Sequence, residues 1–410
     1  MTDSSSVARR NFFRKSGLMI AGGAIGGAMA ADDSQAVSVP QHDSLRVAVI
    51  GCGRRARALL EAVLSQDQTI RVVALGDAFA SQVQATYRAI KGRHPRQLDP
   101  ECLRCSGWDA YDQVVRSDAD LIYLTAPPVF RPLHFEAAID EGKHVFLEKP
   151  LAANVGDSVK MLGIANRAKQ NGLSAFVGFQ RRFDVQHQET IDRVRSGAIG
   201  RLLLARSYCN VGPLRKPHTV KDEDRRTFEI RNWNGFHWTG GELLLEQHVA
   251  GLDRLRNAVG LPVAAVGQGG WSDASALVDH GNTAIAFDHH TVEYEFESGL
   301  RLLSQCRRGG SKSWMQTSEH LHGTCGRAEL STGRIFDADD HLIWKSPSRS
   351  SNQASTAAQQ AFVIDSLRSG VVINEVADAA ESNLFALLGQ LATRSGRRET
   401  WDGMLRSAVT

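Results

Sequence analysis

Two features that would assign a protein class at once are missing from the sequence: an excess of one charge and a long apolar run. Beyond residue 30 there is no charge imbalance, because 44 of the 48 basic and 44 of the 45 acidic side chains lie there. A nucleic-acid-binding protein would show a basic excess, so we predict no nucleic-acid partner. The uncharged run of residues 16–30 is too short and too weakly apolar for a membrane-spanning helix, which needs about 20 apolar residues.

Cysteine is also scarce, and its spacing argues against a disulfide-rich protein and against a structural zinc site. The six cysteines are scattered and give no pattern typical of a disulfide framework. Cys102 and Cys105 form the one close pair, and only His94 lies near them in the sequence. Because a closed structural zinc site needs four ligands, we predict no metal site. Ordinary apolar (42%) and charged (23%) fractions over 410 residues instead indicate a soluble protein of two or three domains.

The basic excess that does exist is confined to the N-terminus. Arg9, Arg10, Arg14 and Lys15 precede the Gly/Ala-rich run of residues 16–30, which ends in small residues. This layout resembles a twin-arginine export signal. An ordinary secretory signal or a retained anchor stays open as an alternative. We therefore predict a signal over residues 1–30, a linker over residues 31–44, a periplasmic or otherwise exported location, and the twin-arginine export machinery as a partner.

From residue 45 the pattern alternates between strand and helix, beginning with a nucleotide-binding motif. An apolar strand runs into Gly51-Cys-Gly53-Arg-Arg-Ala56 and then into a helical pattern. Gly51 permits the tight turn, Gly53 lets a pyrophosphate approach the backbone, and the helix N-terminus faces the phosphates. We predict that both glycines bind the cofactor.

The choice of nucleotide depends on the residues around this motif. A second strand ends at Asp77, about 20 residues beyond the glycines, where an acid accepts hydrogen bonds from a ribose 2′-hydroxyl and repels a 2′-phosphate. The sequence thus favours NAD. Arg54 and Arg55, also predicted to bind the cofactor, keep NADP possible.

Later strand ends carry further polar groups. Thr125 and Pro127 follow one predicted strand, and Glu148 and Lys149 follow the next. Alternating strands and helices predict a parallel, doubly wound sheet, which binds ligands at the carboxyl ends of its strands. We predict all four as cofactor-binding. Lys149 can also serve as an acid or base beside a nicotinamide.

Motifs spread over the chain resemble one enzyme family. "GCGRRA", "APPVFRPLHFEAAIDEGKHVFLEKP", "GFQRRF" and "RNWNGFHWTGGELLLEQHV" are similar to the glucose–fructose oxidoreductase/inositol dehydrogenase/rhizopine catabolism (Gfo/Idh/MocA) family. The resemblance implies an α/β fold with an N-terminal Rossmann domain, placed at residues 45–170. It also implies a C-terminal α/β domain at residues 171–410 with an open, mostly antiparallel sheet that joins copies into a homo-oligomer.

Two details of the C-terminal region are predicted from local pattern. Residues 346–357 are polar and low in complexity, which indicates an exposed loop. We also expect that the C-terminal helix can pack back on the Rossmann domain.

The resemblance also implies a catalytic set, from which this sequence departs. In the family the lysine matching Lys149 cooperates with an acid and a histidine four residues apart. The acid falls on Glu246, but the histidine position is Ala250, which cannot transfer a proton. His248 points about 200° away from Glu246 on an ideal helix, so a core position is the alternative to a substrate contact. We predict Lys149 and Glu246 as catalytic.

Several other polar and aromatic residues are candidates for substrate binding. Arg181 and Arg182 match a family position for substrate contacts, and guanidinium and indole groups suit sugar rings. Interdomain ion pairs and core aromatics are the alternatives. The full set of tentative substrate-binding residues is Arg182, Asn210, Arg231, Trp233, His237 and His248.

Together these features predict an exported, nicotinamide-dependent oxidoreductase acting on a carbohydrate or cyclitol. Export implies a tightly bound cofactor, because no free nicotinamide pool exists outside the cytoplasm. Two alternatives stay open. One is an NAD-dependent glycosidase that oxidises its sugar transiently. The other is a catalytically impaired binding homologue, suggested by Ala250.

Overall fold

The computed structural model describes residues 44–272, 285–310 and 312–408. The predicted signal at residues 1–30 and nearly all of the predicted linker lie outside these residues. Within the described residues, no helix is both long enough and apolar enough to cross a membrane.

The first domain is built on six parallel strands with helices on both faces. Its elements are β1 Arg46–Ile50, α1 Arg54–Leu64, β2 Arg71–Asp77, α2 Ala80–Arg93, β3 Leu98–Ser106, α3 Ala110–Val115, β4 Leu121–Leu124, α4 Arg131–Asp140, β5 His144–Leu147, α5 Val155–Gln170 and β6 Ala175–Val177. The strand order is β3-β2-β1-β4-β5-β6. The central strands β1, β4 and β5 are almost fully buried, as expected for a sheet covered on both faces. This is the predicted Rossmann arrangement.

The boundary placed at residue 170 is corrected by the register of the last strand. Residues 175–177 of β6 pair in parallel with residues 145–147 of β5. The sheet therefore continues seven residues beyond the predicted boundary. A three-residue strand carries too little periodicity to be recognised in the sequence alone.

The second domain contains a nine-stranded sheet and the helices that cover one of its faces. Its first elements are α6 Val185–Arg195, β7 Leu202–Val211, α7 Arg225–Arg231, α8 His237–Gly240, a π-helical segment Leu244–His248, α9 Val249–Val259, β8 Ala264–Gly270, β9 His289–Glu295 and β10 Arg301–Arg308. The remaining elements are β11 Gln316–Gly323, β12 Gly326–Glu329, β13 Arg334–Asp337, β14 Leu342–Lys345, α10 Asn352–Arg368, α11 Val376–Ser395, β15 Glu399–Thr400 and α12 Trp401–Ser407.

The nine-stranded sheet has the order β14-β13-β12-β11-β7-β10-β9-β8-β15. Only the β7–β10 pair is parallel among the strand pairs of this described sheet, and the others are antiparallel. The predicted open, mostly antiparallel sheet, and with it the α/β fold class, is confirmed.

Two helices from the C-terminal region tie the domains together. The buried helix α11 lies against α5 of the first domain and against β8 of the second. Helix α10 packs on α1, and Val363, Ile364 and Leu367 join the apolar core of the Rossmann domain. The prediction of a loop over residues 346–357 is partly wrong, because α10 begins at Asn352. The Ser351 hydroxyl accepts a hydrogen bond from the Ala354 N–H and caps this helix.

Candidate active site

The first turn of the Rossmann domain forms a cradle for a nucleotide. Gly51 has φ +95°, and a Cβ there would lie 2.3 Å from the Ala126 nitrogen, so no larger residue fits. A Cβ added at Gly53 would meet nothing within 4 Å. The surface above the second glycine is therefore open, at the N-terminus of α1, where a pyrophosphate is favoured. A cavity of about 170 Å³ begins at this turn.

Asp77 closes the far end of the cradle at the carboxyl end of β2. Its carboxylate accepts hydrogen bonds from the Cys52 N–H at 2.7 Å and the Phe79 N–H at 2.9 Å. Burial raises the pKa of Asp77 above its ordinary value, although these two bonds and Arg231 oppose the shift. The carboxylate lines the cavity, in the place where a ribose would meet it.

The cavity is walled by residues of both domains. The first domain contributes Phe79, Trp108, Tyr111, Phe130 and His134. The second domain contributes Ile230, Arg231 and Trp233. These side chains enclose a flat, partly apolar space that suits an adenosine.

Arg231 and Trp233 were predicted to contact substrate, and the structure places both at the cavity beside the nucleotide cradle. The Arg231 guanidinium lies 3.9 Å from the centre of the Phe79 ring and donates to Glu223 at 2.9 Å (Nε) and 2.7 Å (Nη2). Both residues line the nucleotide cavity. The reason is tertiary: the segment before α8 folds over the Rossmann domain, which no local pattern reveals.

The opposite end of the cradle is organised around Glu148. Arg55 donates to Glu148 at 2.6 Å and to Gln180 at 3.2 Å. A Cβ added at Gly178 would lie 2.7 Å from the Glu148 carboxylate, so the chain passes close to it. Arg55 thus positions an acid of the cradle in this structure, whereas Arg54 is exposed.

The loop after β4 brings Thr125 and Pro127 to the cavity, as predicted from the strand-end pattern. The Thr125 hydroxyl donates to the Gly51 carbonyl at 2.5 Å, and both residues line the cavity.

Sequence reasoning missed the residue that fastens this loop. Arg131 is 3% exposed and donates to the carbonyls of Ala126 and Pro150. Burial lowers the pKa of Arg131 to about 10, and the charge of Glu148 opposes the shift. The available signal was an arginine in the apolar first turn of a helix, three residues after Pro128.

Lys149 and Glu246 lie together where the two domains meet. The Lys149 Nζ donates to the Glu246 carbonyl at 2.7 Å. The Glu246 carboxylate accepts a hydrogen bond from Arg308 at 3.1 Å and another from Gln247. Glu246 lies in the π-helical segment, whose wider turn shifts side chains from their places on an ideal helix. The lysine is therefore held at the domain junction by a backbone carbonyl.

Ala250 follows this segment and is only half-buried. Its neighbour Gly251 lies against the sheet, because a Cβ there would be 2.9 Å from the Glu319 carboxylate and 3.1 Å from the Ser207 hydroxyl. Cys209, two residues beyond Ser207 on β7, is buried beside Lys149 and Glu246. Burial raises the pKa of the Cys209 thiol to about 11, so a neutral thiol does not replace the absent histidine as a proton acceptor.

His248 and Arg182 were predicted to bind substrate, but the structure buries His248 and holds the half-buried Arg182 in ion pairs. His248 is 1% exposed, bonds to the Ser304 hydroxyl at 2.9 Å, and has its pKa lowered by burial to about 3. Arg182 forms a two-bond ion pair with Asp253 at 3.1 and 2.6 Å and contacts Asp378 at 2.5 Å. Both side chains are thus occupied by structural partners, which sequence spacing alone could not show.

The two remaining predicted substrate residues, Asn210 and His237, have different surroundings. Asn210 is 1% exposed, and neither amide atom has a hydrogen-bond partner among the described residues. His237 is partly exposed, and its Nδ1 lies 3.4 Å from Glu242. The structure brings neither into the nucleotide cavity. Their roles remain predictions.

Fold and site together define a two-domain scaffold whose first domain carries a cradle for a dinucleotide. Residues 45–179 match the family model GFO_IDH_MocA, described as an oxidoreductase family with an NAD-binding Rossmann fold. This part of the chain is similar to the Gfo/Idh/MocA oxidoreductase family, and the prediction of NAD as cofactor is confirmed.

Curated relatives match part of the chain. A 1-carboxy-3-chloro-3,4-dihydroxycyclohexa-1,5-diene dehydrogenase of Comamonas testosteroni is 27% identical over 181 residues, covering 43% of this chain and 41% of the relative. Inositol 2-dehydrogenase of Rhodococcus jostii (strain RHA1) is 27% identical over 164 residues, covering 40% and 41%. The match therefore spans about two fifths of the length of these relatives.

Solved structures match more of the chain. The scyllo-inositol dehydrogenase of Lactobacillus casei, with bound NAD(H) and scyllo-inositol, superposes with a TM-score of 0.64 at 18% identity. The match covers 88% of this chain and 99% of that one. It shows that both domains share the fold of that enzyme.

Proposed function

We propose that this protein is an NAD-dependent oxidoreductase that acts on a ring hydroxyl of a cyclitol or sugar. The observation that carries the proposal is the position of Lys149. Its amine is fixed 2.7 Å from the Glu246 carbonyl, at the domain junction and beside the strand ends that carry the nucleotide cradle. The inositol 2-dehydrogenase among the relatives supports the substrate class.

The chain's own residues divide the work. Bound NAD supplies the hydride acceptor. Gly51 and Gly53 admit its pyrophosphate, and Asp77 accepts hydrogen bonds from its ribose. Lys149 donates one hydrogen bond to the Glu246 carbonyl, so its remaining valences face the substrate hydroxyl. As the neutral amine it would take the hydroxyl proton and become an ammonium while the hydride leaves the same carbon for NAD. The Glu246 carboxylate accepts a hydrogen bond from Arg308, which holds the π-helical segment against Lys149.

We further propose that the protein is exported and retains its cofactor between turnovers. The side chains of Arg231 and Trp233 support retention, because they cover the nucleotide cavity from the second domain. The basic, small-residue N-terminus supports export. A retained cofactor would be returned to its starting redox state by a second substrate, or within one reaction as in the glycosidase alternative.

The experiment uses the full chain, recovered from the exported fraction. Absorbance and mass spectra of the purified protein are expected to show NAD or NADH bound through gel filtration. Adding myo-inositol and a panel of sugars should change the absorbance of the reduced nicotinamide. Protein that carries no nucleotide would contradict retention, and bound nucleotide that never changes redox state would contradict the oxidoreductase.

A catalytically impaired homologue is the second candidate, and Ala250 is the observation that favours it. Ala250→His places an imidazole at a half-buried position in the first turn of α9, four residues after Glu246. If the oxidoreductase proposal is correct, wild-type protein is already active, and the variant gains about 10- to 100-fold in kcat from added acid–base catalysis. Activity that appears only in Ala250→His would favour the impaired homologue. Ala258→His, later on the same helix, is the matched control.

Copies of the chain are proposed to associate through the uncovered face of the nine-stranded sheet. Arg206, Leu303 and Thr291 are exposed there on neighbouring strands. Light scattering measures the molar mass of the wild type and of Leu303→Asp in solution. We expect an oligomer for the wild type and a smaller mass for the variant, and an unchanged mass would contradict this contact.

A further inference from the structure

Four neighbouring strands of the nine-stranded sheet end at a second cavity. The register pairs Gly270 of β8 with His289 of β9, and His289 with Arg307 of β10. Arg308 in turn lies opposite Val211 of β7. The chain that follows β7, β8 and β10 therefore meets the chain that precedes β9 at one end of the sheet. Together these segments line a cavity of about 300 Å³, which shares no described lining residue with the nucleotide cavity.

Two aromatic rings form the apolar wall of this cavity. Trp271 and Phe287 both line it, with ring centres 5.4 Å apart and ring planes inclined at 47°. The Phe287 ring is held by the Arg394 guanidinium, which lies 4.1 Å from its centre. Trp271 remains 53% exposed. An indole left in contact with water gains free energy when the C–H face of a sugar ring covers it.

A few oriented polar groups accompany the aromatic wall. Asp288 lines the cavity, and its carboxylate is fixed by hydrogen bonds to the Ser272 hydroxyl at 2.7 Å and to His289 at 2.8 Å. The Asn234 amide lines the cavity as well. An apolar wall with a small number of placed acceptors and donors suits a ring that carries hydroxyl groups.

The charges around the cavity favour a neutral ring over an anion. Arg308 lines the cavity but is paired with Glu246 at 3.1 Å. Arg215 and Lys216 also line it, and both are exposed, so water and salt screen their charges. The described lining thus contains no buried cation that lacks a counter-ion.

The cavity adjoins the candidate catalytic residues at two points. Arg308 lines the cavity and donates to the Glu246 carboxylate, while the Glu246 carbonyl accepts from the Lys149 Nζ at 2.7 Å. Leu243, directly before the π-helical segment that carries Glu246, lines the cavity too. A molecule in the cavity therefore lies beside the residues that we assign to the reaction.

We propose that this cavity binds the second ring of a glycoside, so that the substrate is a disaccharide or a longer sugar. One ring lies at Lys149, and its neighbour stacks on Trp271 with its hydroxyls bonded to Asn234 and Asp288. This assignment rests on the proposed function, whose substrate class it narrows.

Calorimetry on the NAD-loaded protein tests the proposal with sugars of one and two rings. The two-ring probes are cellobiose, maltose, lactose and trehalose, and the one-ring probes are D-glucose and methyl β-D-glucoside. At least one disaccharide is expected to bind about fivefold or more tightly than both one-ring probes. A smaller gain for every disaccharide, or no binding of any, would overturn the proposal. Inorganic phosphate should not displace the bound disaccharide, and displacement would identify an anion site instead.

Variants at Trp271 assign the gain in affinity to the aromatic wall. Trp271→Ala should weaken binding of the preferred disaccharide about fivefold or more and leave glucose binding unchanged. Trp271→Phe should retain part of the gain, because a phenyl ring still stacks on a sugar. Trp314→Ala, which removes another exposed tryptophan that lines neither cavity, is the matched control and should retain all of it. Thermal unfolding checks that each variant is folded. A gain that survives Trp271→Ala would overturn the assignment.

Nicotinamide absorbance in the same samples tests the proposed function separately. For a disaccharide that is oxidised, Trp271→Ala should raise KM and leave kcat nearly unchanged, because stacking of the second ring is the same in the ground state and the transition state. Disaccharide binding that depends on Trp271 without any redox change would contradict the oxidoreductase, while the second-ring site would stand. Oxidation of glucose with no gain from a second ring would support the oxidoreductase and overturn the second-ring site.

Discussion

Asp77 offers the ribose a carboxylate that is already oriented by two backbone N–H groups. Its position therefore depends on the turn at Cys52 and the strand end at Phe79, and a nucleotide meets a prearranged acceptor. A 2′-phosphate would meet a negative charge at the same place.

We predict that Asp77→Asn shifts the nucleotide preference. An amide keeps one acceptor oxygen but removes the charge, so affinity for NAD should fall about tenfold while affinity for NADP rises. Titration of the nucleotide-free protein with NAD and with NADP, followed by intrinsic fluorescence, measures the ratio of the two affinities. Asp192→Asn, at an exposed side chain of α6, should leave it unchanged. An unchanged NAD/NADP ratio in Asp77→Asn would mean that another residue selects the cofactor.

The residues that could be predicted from the sequence are those whose role is set by neighbours in the chain. Gly51 must adopt a positive φ in a strand–helix turn, and Asp77 and Lys149 follow strands directly. Arg231 could not be placed in the same way, because its position depends on Glu223 and on a ring from the other domain.

At the scale of elements, helix α9 is joined to strand β11 by a buried ion pair. Arg254 and Glu319 are in contact, and their side chains are 2% and 0% exposed. Burial lowers the pKa of Arg254 to about 9. Gly251 on the same helix permits the close approach to Glu319. The pair therefore fixes the helix that begins at the candidate active site onto the sheet.

We predict that Glu319→Ala lowers the free energy of unfolding by about 3–5 kcal/mol, because Arg254 would be left as a buried charge without a partner. The double variant Arg254→Met with Glu319→Leu should lower the free energy of unfolding by less than Glu319→Ala does, because it leaves no buried charge without a partner. Urea unfolding at constant pH compares the two. A double variant less stable than Glu319→Ala would show that the charges themselves stabilise this contact. Glu329→Ala, a more exposed acid on β12, is the control.

Element boundaries show where sequence patterns stop being informative. The repeat of apolar residues locates β1, β4 and β5 because they are buried on both faces. The π-helical segment at Leu244–His248 has no such signal, since its wider turn depends on packing against the sheet and the lysine. The ideal-helix angle between Glu246 and His248 predicted a core position for the histidine, and His248 is buried. Because both residues lie in the π-helical segment, that angle does not describe their actual directions.

At the scale of the whole molecule, the protein buries an unusual set of uncharged histidines. Burial lowers the pKa of five of them to values between about 3 and about 4: His134, His144, His187, His248 and His290. In the unfolded chain each would titrate near 6.5. The folded state therefore binds fewer protons than the unfolded state between these values, and its stability falls as the pH drops below about 6.5.

The five histidines contribute about 1.3 kcal/mol each, and we predict a net loss of about 5 kcal/mol in the free energy of unfolding between pH 7 and pH 5.5. Glu381 opposes part of it, because burial raises its pKa to about 7 and its protonation stabilises the fold over the same range. Urea unfolding followed by tryptophan fluorescence at both pH values measures the difference. Equal stability at both values would contradict the prediction.

A single variant identifies the source of this pH dependence. His187→Phe should shrink the pH-dependent loss by about 1 kcal/mol, because one buried titrating group is removed. His341→Phe should not change it, since that side chain is 77% exposed.

The nucleotide cavity is lined by residues between 50 and 134 of one domain and residues between 230 and 233 of the other. A molecule that occupies it touches both domains at once, so its binding is thermodynamically linked to their association. By mass action, a nucleotide at 1,000 times its Kd stabilises the folded chain by about 4 kcal/mol. Under the export proposed above, a chain loaded with cofactor before transport would be more cooperative and more resistant to proteolysis than the empty chain.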